Sequence, residues 1–436
     1  MPGPEFDRRS VLAMGSGGLG ALALGRRAWA AGPALEGWLG AGPATVTLSN
    51  ATLLLHTGER IEGGGVRVEE GVITELGRGV RGGEDLGGAW VVPGFTDAGC
   101  TVGLYEIGAE SDTRDDQESS DAVTPDARVV DAYNPLSEVV PVTRSAGFTH
   151  VLVHPTSAGL VSGQAAIFRT AGRTVAEATS EAGLALCIQL GNAGKGGGGP
   201  DSRMGIASRL RALLDDAEPP APPPTPGRWA RRGQDEPEEE DLERVPQIWR
   251  DTRTGALPVL FHADRADDLL QAVALTEEFG LDAVLVGASE GWIVAKELAE
   301  AGVPVLLGSP VAQPDSFERP HARYDNAALL DAAGVRLAFR SGSNHFARGL
   351  RTDVGVLVAH GLPWERAIYG LSSAVGDIFG LDGYGELAVG RPADFFLSAG
   401  DPLQPRFPVQ RMWIDGRESS LISRQTRLRD RFETLR

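Results

Sequence analysis

The sequence predicts an α/β fold, a closed barrel of eight βα units carrying a small β domain built from both chain ends. Three observations point there. Apolar strand-like runs alternate with helical segments through the middle of the chain, and short alternating strands broken by glycine clusters occupy both ends. With 42% hydrophobic and 6% aromatic residues among 436, the composition is that of an ordinary globular protein.

The chain begins with what reads as an export signal. Arg8-Arg9 precede 16 uncharged residues, Ser10 to Gly25, then Arg26-Arg27 and the small-residue site Ala28-Trp29-Ala30. Residues 1–30 are therefore expected to be a twin-arginine-type signal, addressing the protein to the periplasm or the exterior. Removing them would change the net charge from −18 to −20. The uncharged stretch is short and glycine-rich for a bilayer span, so no membrane span is expected in the mature form.

Residues 44–92 contain the alternating runs ATVTLSNATLLL, GVRVEE, GVITELG and AWVVPG. Residues 386–420 contain ADFFLSAGDP and VQRMWIDG. Together they are expected to form one composite β domain. Between them, over 93–385, apolar runs recur at 91–98, 149–154, 164–168, 184–190, 258–262, 283–287, 303–308 and 335–341. Helical spacing follows the later runs, as at Ala266, Leu269, Leu270, Val273 and Ala274, stopped by Gly280. Unbroken apolar strands are those covered by helices, and eight of them favour a closed barrel of parallel βα units over an open doubly wound sheet. No Gly-x-Gly-x-x-Gly phosphate loop follows any strand. The segment 218–240, Pro-rich and then charged, cannot bury a core and reads as a disordered insertion.

An excess of 59 acidic over 41 basic side chains argues against nucleic acid as a partner, since displacing its counterions needs a basic stripe. The two cysteines, Cys100 and Cys187, cannot make a disulfide framework. On the first strand Cys100 is expected to face away from the barrel interior and Cys187 to face in.

The motif V92-P-G-F-T-D-A-G-C-T-V-G103 resembles the first-strand motif of the amidohydrolase superfamily, P-G-[LF]-I-D-x-H-x-H-x-G, in all but the two histidines. The likeness continues through E-I-G (106–108), V-T-P (123–125), D-A-x-N-P (131–135), A-G-F-T-H-V (146–151) and S-G-Q (162–164). It extends further to S-R-M-G (202–205), F-H-A-D-R-A-D-D (261–268) and L-x-V-G-R-P-A-D (387–394). Covering about 44–420, it resembles the exported, imidazolonepropionase-like branch. The resemblance implies a (β/α)8 TIM-like barrel with a small β-sandwich domain from both chain ends. It also implies hydrolysis of non-peptide C–N bonds with one or two Zn-like ions, which lower the pKa of bound water.

The resemblance puts metal-ligand positions at Gly99 and Thr101 on the first strand and near Cys187 on the fourth. It continues them at His262 on the fifth, Gly287 on the sixth and Gly342 on the eighth. Only His262 is a firm ligand. Glycine has no donor atom, and loss of even one outer-shell partner commonly costs 10- to 100-fold in affinity or activity. The only lysines, Lys195 and Lys296, lie in a glycine run and a predicted helix, away from the position of a bridging carbamate.

Two readings follow. In the first, the protein is an exported, catalytically degenerate amidohydrolase-fold protein that expects no cofactor. It would keep a role in binding a small molecule or an intact homologue. In the second, it hydrolyses C–N bonds with a rebuilt site around His262 and one divalent metal. The rebuilt site would need His154, His262 and His345 to converge from the second, fifth and eighth strand ends. The acidic loop after the first strand contributes Glu106, Asp116 and Glu118 as pocket candidates, and the S-G-Q and S-R-M-G matches add Gln164 and Arg203.

Overall fold

The computed structural model describes residues 44–156, 158–217, 244–308 and 316–434; the signal (1–30) and the insertion (218–240) read from the sequence lie outside them. The structure has two eight-stranded sheets. The first takes β1 (Val46–Leu54), β2 (Arg60–Glu69), β3 (Val72–Gly77), β4 (Glu84–Asp85) and β5 (Trp90–Pro93) from one end of the chain. From the other come β14 (Phe395–Ser398), β15 (Val409–Ile414) and β16 (Arg417–Ser419). The order is β16-β15-β14-β5-β1-β2-β3, with β4 beside β1. Hydrogen bonding joins all of these strands in one continuous sheet, whereas a sandwich would have two. Alternate residues, among them Leu48, Leu53, Val66, Val91, Phe395 and Trp413, share one core, as period-2 burial requires.

The second sheet runs in strict chain order: β6 (Phe95–Cys100), β7 (Phe148–Val153), β8 (Val161–Arg169), β9 (Thr179–Gln189), β10 (Val259–Ala263), β11 (Ala283–Gly287), β12 (Val305–Leu307) and β13 (Leu337–Phe339). Just past β13, Gly342 N–H donates to Gly99 C=O at 2.9 Å, bringing the last strand back to the first and nearly closing the barrel. Ala98, Leu152, Ala165, Cys187, Leu260, Val284, Leu306 and Ala338 form the interior cluster. Phe261, Leu285, Val305 and Phe339 face out into the core shared with the helices. Cys100 lies with Val102, Tyr133 and Val151 in a third cluster outside the barrel.

One strand departs from the expected pattern of parallel βα units. β8 is antiparallel to both β7 and β9, so β7-β8-β9 is a meander. The cause is loop length: a parallel connection needs a crossover of a dozen or more residues, and only 154–160 separate β7 from β8. Helices accompany the barrel mainly in its second half. After the short α1 (Val139–Arg144) and α2 (Val175–Ala178) come α3 (Arg203–Asp215), α4 (Arg244–Arg253), α5 (Ala266–Phe279), α6 (Ala295–Ala301) and α7 (Asn326–Ala333). They are followed by α8 (Leu350–Ala359), α9 (Trp364–Leu371), α10 (Ala374–Phe379) and α11 (Arg424–Glu433). No helix among the described residues is long and apolar enough to cross a membrane.

Asp97 fastens the seam of the barrel. Its carboxylate accepts from Gly99 N–H (3.1 Å), Ser341 N–H (3.0 Å) and the Ser341 hydroxyl. These bonds tie β6 to the segment after β13, and Asp97 is fully buried. An asparagine offers one acceptor oxygen where three donors point. Asp97→Asn is expected to destabilise the fold by about 1–3 kcal/mol, measured by urea unfolding. A change below about 0.5 kcal/mol, the size of an ordinary surface substitution, would show that the seam does not depend on this carboxylate.

Candidate functional site

The C-terminal ends of the barrel strands enclose a cavity of about 260 Å³ lined by Thr101, His154, Thr156, Gln189, Asn192, His262, Asp264, Gly287, Glu318, Arg340 and Gly342. Several positions at which the resemblance puts metal ligands therefore converge. Their neighbours are what sequence reasoning missed. The half-buried side chain of Arg340, directly after β13, folds across the mouth. A Cβ at Gly99 would stand 2.8 Å from Arg340 Nε, and one at Gly342 would stand 3.2 Å from its Nη2. Gly287 meets Asp264 in the same way, at 2.9 Å from Oδ1. The three glycines, at positions where the resemblance expects ligands, make room for a guanidinium and a carboxylate.

Backbone conformation reinforces this at two of them. Gly287 has φ 104° and Gly342 has φ 65°, a region in which a histidine or aspartate would be strained by about 1–2 kcal/mol.

Hydrogen bonding fixes the imidazole next to Arg340. His154 Nδ1 lies 2.9 Å from Pro155 C=O, which can only accept, so Nδ1 carries the proton. His154 Nε2 is then an acceptor, and Arg340 Nη2 donates to it at 2.9 Å. The ring of His262 stands edge-on to His154, with centroids 4.9 Å apart. Its Nε2 is buried and has no hydrogen-bond partner among the described residues, and the same holds for Arg340 Nε.

Burial first, and the adjacent Arg340 second, pull His154 down to about 3. Burial, His154 and Arg340 hold His262 well below the ordinary imidazole range. Both rings are neutral at physiological pH. Burial pushes Asp97 up to about 6 against its hydrogen bonds from Ser341 and Gly99 and the attraction of Arg340, so it is ionised at pH 7. Burial lowers Arg340 while Asp97 and Asp264 oppose that shift, and the guanidinium keeps its charge.

A metal ion does not fit this donor set. Among the described residues no three His, Cys, Asp or Glu side chains come together in an arrangement that would hold one. His154 already accepts a bond from a cation. Two unit charges 4 Å apart repel by about 4 kcal/mol at an effective dielectric constant of about 20. A divalent ion at that distance from Arg340 would face about twice that penalty. With His154 Nε2 already taken by Arg340, only His262 and Asp264 among the described residues offer open donor atoms in the cavity, short of the three protein ligands of a catalytic zinc site.

The remaining sequence candidates lie elsewhere. Cys187 sits beneath the mouth in the apolar interior, its thiol pushed up to about 12 by burial. His345 does not join His154 and His262; it follows the turn after Arg340 and lies against Tyr105, with ring centroids 6.4 Å apart. It shares a separate cavity with Glu106, Arg348 and Arg424, and Glu106 accepts there from Glu138 N–H. Asp116 and Glu118 line a third cavity. Asp116 is bound by Arg114 and by the Thr156 hydroxyl at 2.7 Å. Gln164 is buried and donates to Pro125 C=O. Arg203 reaches the mouth only through Glu318, both of whose oxygens it binds while also holding Asp268. The acidic loop turns back on itself through Glu106 N–H to Thr113 C=O and Asp115 N–H to Leu104 C=O, and its carboxylates line cavities other than that of the two histidines.

No protein-family model and no curated protein matches the sequence. Solved structures do. An amidohydrolase from Thermotoga maritima MSB8 superposes with a TM-score of 0.76 at 25% identity, over 87% of this chain and 100% of that one. Molinate hydrolase (0.53, 16%, covering 86% and 95%) is similar in fold. So is N-isopropylammelide isopropylaminohydrolase from Burkholderia multivorans ATCC 17616 (0.52, 13%, covering 87% and 99%).

The neutral rings give a direct test. Histidine ring shifts in NMR should hold His154 neutral from about pH 8 to about pH 5, against an ordinary midpoint near 6.5. A midpoint above about 5.5 would contradict a ring buried in the mouth beside Arg340. The linkage has a definite sign: the unfolded chain takes up protons below pH 6.5 that folded His154 refuses, so this residue removes stability as pH falls from 6.5 toward 3. Asp97 acts in the opposite sense between about 6 and its ordinary value of 3.8. The chain has the amidohydrolase fold.

Proposed function

We propose that this is an exported binding protein on the amidohydrolase fold, in which a fixed guanidinium stands where the resemblance expects a hydrolytic cation. The observation that carries the reading is Arg340, packed against Gly99 and Gly342 and hydrogen-bonded to His154. Export rests on the Arg8-Arg9 segment and its small-residue site.

The chemistry of the mouth supports binding over hydrolysis. Arginine keeps its proton and cannot act as a base. His154, held near 3, is too weak a base to activate water at neutral pH, because efficient proton transfer needs a pKa near the working pH. Arg340, the two imidazoles and Asp264 are instead well placed to orient a polar small molecule. The fold neighbours named as hydrolases make C–N hydrolysis the activity against which this reading is tested.

The test is elemental analysis of the purified, folded protein by plasma mass spectrometry, together with a screen of amides, cyclic imides and carbamates. The expected outcome is a metal content far below one ion per chain after dialysis against zinc, and no turnover above that of a reaction without protein. Stoichiometric zinc, iron or manganese with turnover lost in His262→Ala would replace this reading with an active hydrolase.

A further inference from the structure

We infer that the mouth cavity binds a free amino acid as its zwitterion, the carboxylate on Arg340 and the ammonium on Asp264. This inference rests on the binding reading above and specifies its ligand.

Arg340 is a charged fork with unused donors. Its one side-chain hydrogen bond among the described residues runs from Nη2 to His154 Nε2. Asp97 balances its charge at a distance, but the hydrogen bonds of that carboxylate go to Ser341 and Gly99. Nε is buried beside Gly99, and Nη1 and the second Nη2 hydrogen have no hydrogen-bond partner among the described residues, while Arg340 lines the cavity. Guanidinium edges of this kind match carboxylate geometry.

The same cavity holds an anion with a free oxygen. Asp264 Oδ1 accepts from Ser289 N–H and the Ser289 hydroxyl, at 3.2 and 2.6 Å, while Oδ2 has no hydrogen-bond partner among the described residues. The other lining carboxylate, Glu318, has both oxygens engaged by Arg203. Among the described residues one cation and one anion, each with open hydrogen-bonding capacity, thus face a single cavity, and His262 Nε2 adds a buried polar atom without a partner among them.

Charge balance selects the ligand class. A plain carboxylate would satisfy Arg340 and leave Asp264 facing an apolar or like-charged group, and a plain amine would do the reverse. A phosphate would place two negative charges beside Asp264. A zwitterion satisfies both partners at no net change in charge. At about 260 Å³ the cavity is below the range of about 300–1,000 Å³ that holds drug-sized ligands, as suits a single amino acid.

The experiment is titration calorimetry of the full mature chain against each of the twenty amino acids, with the N-acetyl and methyl ester forms of any that bind. At least one amino acid should bind with a Kd tighter than about 10 mM, and both blocked forms should bind about tenfold more weakly or worse. Asp264→Asn and Arg340→Met should each weaken binding by a similar factor. Should Arg340→Met fail to fold by circular dichroism, Asp264→Asn and the blocked ligands still decide. No binding by any amino acid, equal binding of the N-acetyl form, or unchanged affinity in Asp264→Asn would each overturn the inference. Metal content of the same sample separates the two levels. A metal-free protein that ignores amino acids sinks the ligand assignment alone, whereas a zinc-loaded one sinks the binding reading beneath it.

Discussion

The guanidinium of Arg340 lies against two backbones that carry no side chain, Gly99 and Gly342, and that close approach constrains the rest of the mouth. A group this size cannot share the space with a histidine on β6 or an aspartate after β13. Its charge then dictates the state of its neighbours. His154 has to present an acceptor nitrogen to Nη2, which its bond to Pro155 arranges, and both imidazoles stay neutral beside a permanent cation. Asp97 supplies the compensating negative charge while spending its hydrogen bonds on the barrel seam.

The seam and the site are therefore one structure. The segment Arg340–Gly342 presents the guanidinium, reaches Asp97 through Ser341 and closes the sheet through the Gly342 to Gly99 bond within three residues. A side chain held by such a segment is positioned as firmly as the barrel itself, in keeping with the preference of binding groups for strand ends over free loops. Across the cavity the Arg203, Glu318 and Asp268 cluster ties the start of α3 to the chain at α5 and gives the opposite wall comparable rigidity.

Much of this was readable in the sequence, and the exceptions have physical causes. The eight barrel strands lie where apolar runs occur, because buried strands need no polar alternation. The reversal of β8 was present as a loop of seven residues, 154–160, too short for a crossover helix, although the apolar run itself carries no direction. His154 and His262 were identifiable as strand-end imidazoles, and the glycines at 99, 287 and 342 as positions without donors. Arg340 was not, since an arginine ending a strand ordinarily points to solvent. Its inward turn depends on the missing Cβ atoms of Gly99 and Gly342, one of them over 240 residues away, so it exists only in the folded barrel. His345 misled for the converse reason, because its place after the eighth strand said nothing about the turn that carries its ring to Tyr105.

A crystal structure of the protein grown in zinc, with diffraction collected at the zinc absorption edge, would show directly whether a guanidinium or a metal ion occupies the mouth. Planar density for Arg340 between Gly99 and Gly342, bonded to His154 and without an anomalous peak in the mouth, is the predicted result. A strong peak bound by His154 and His262, with Arg340 turned out to solvent, would contradict it.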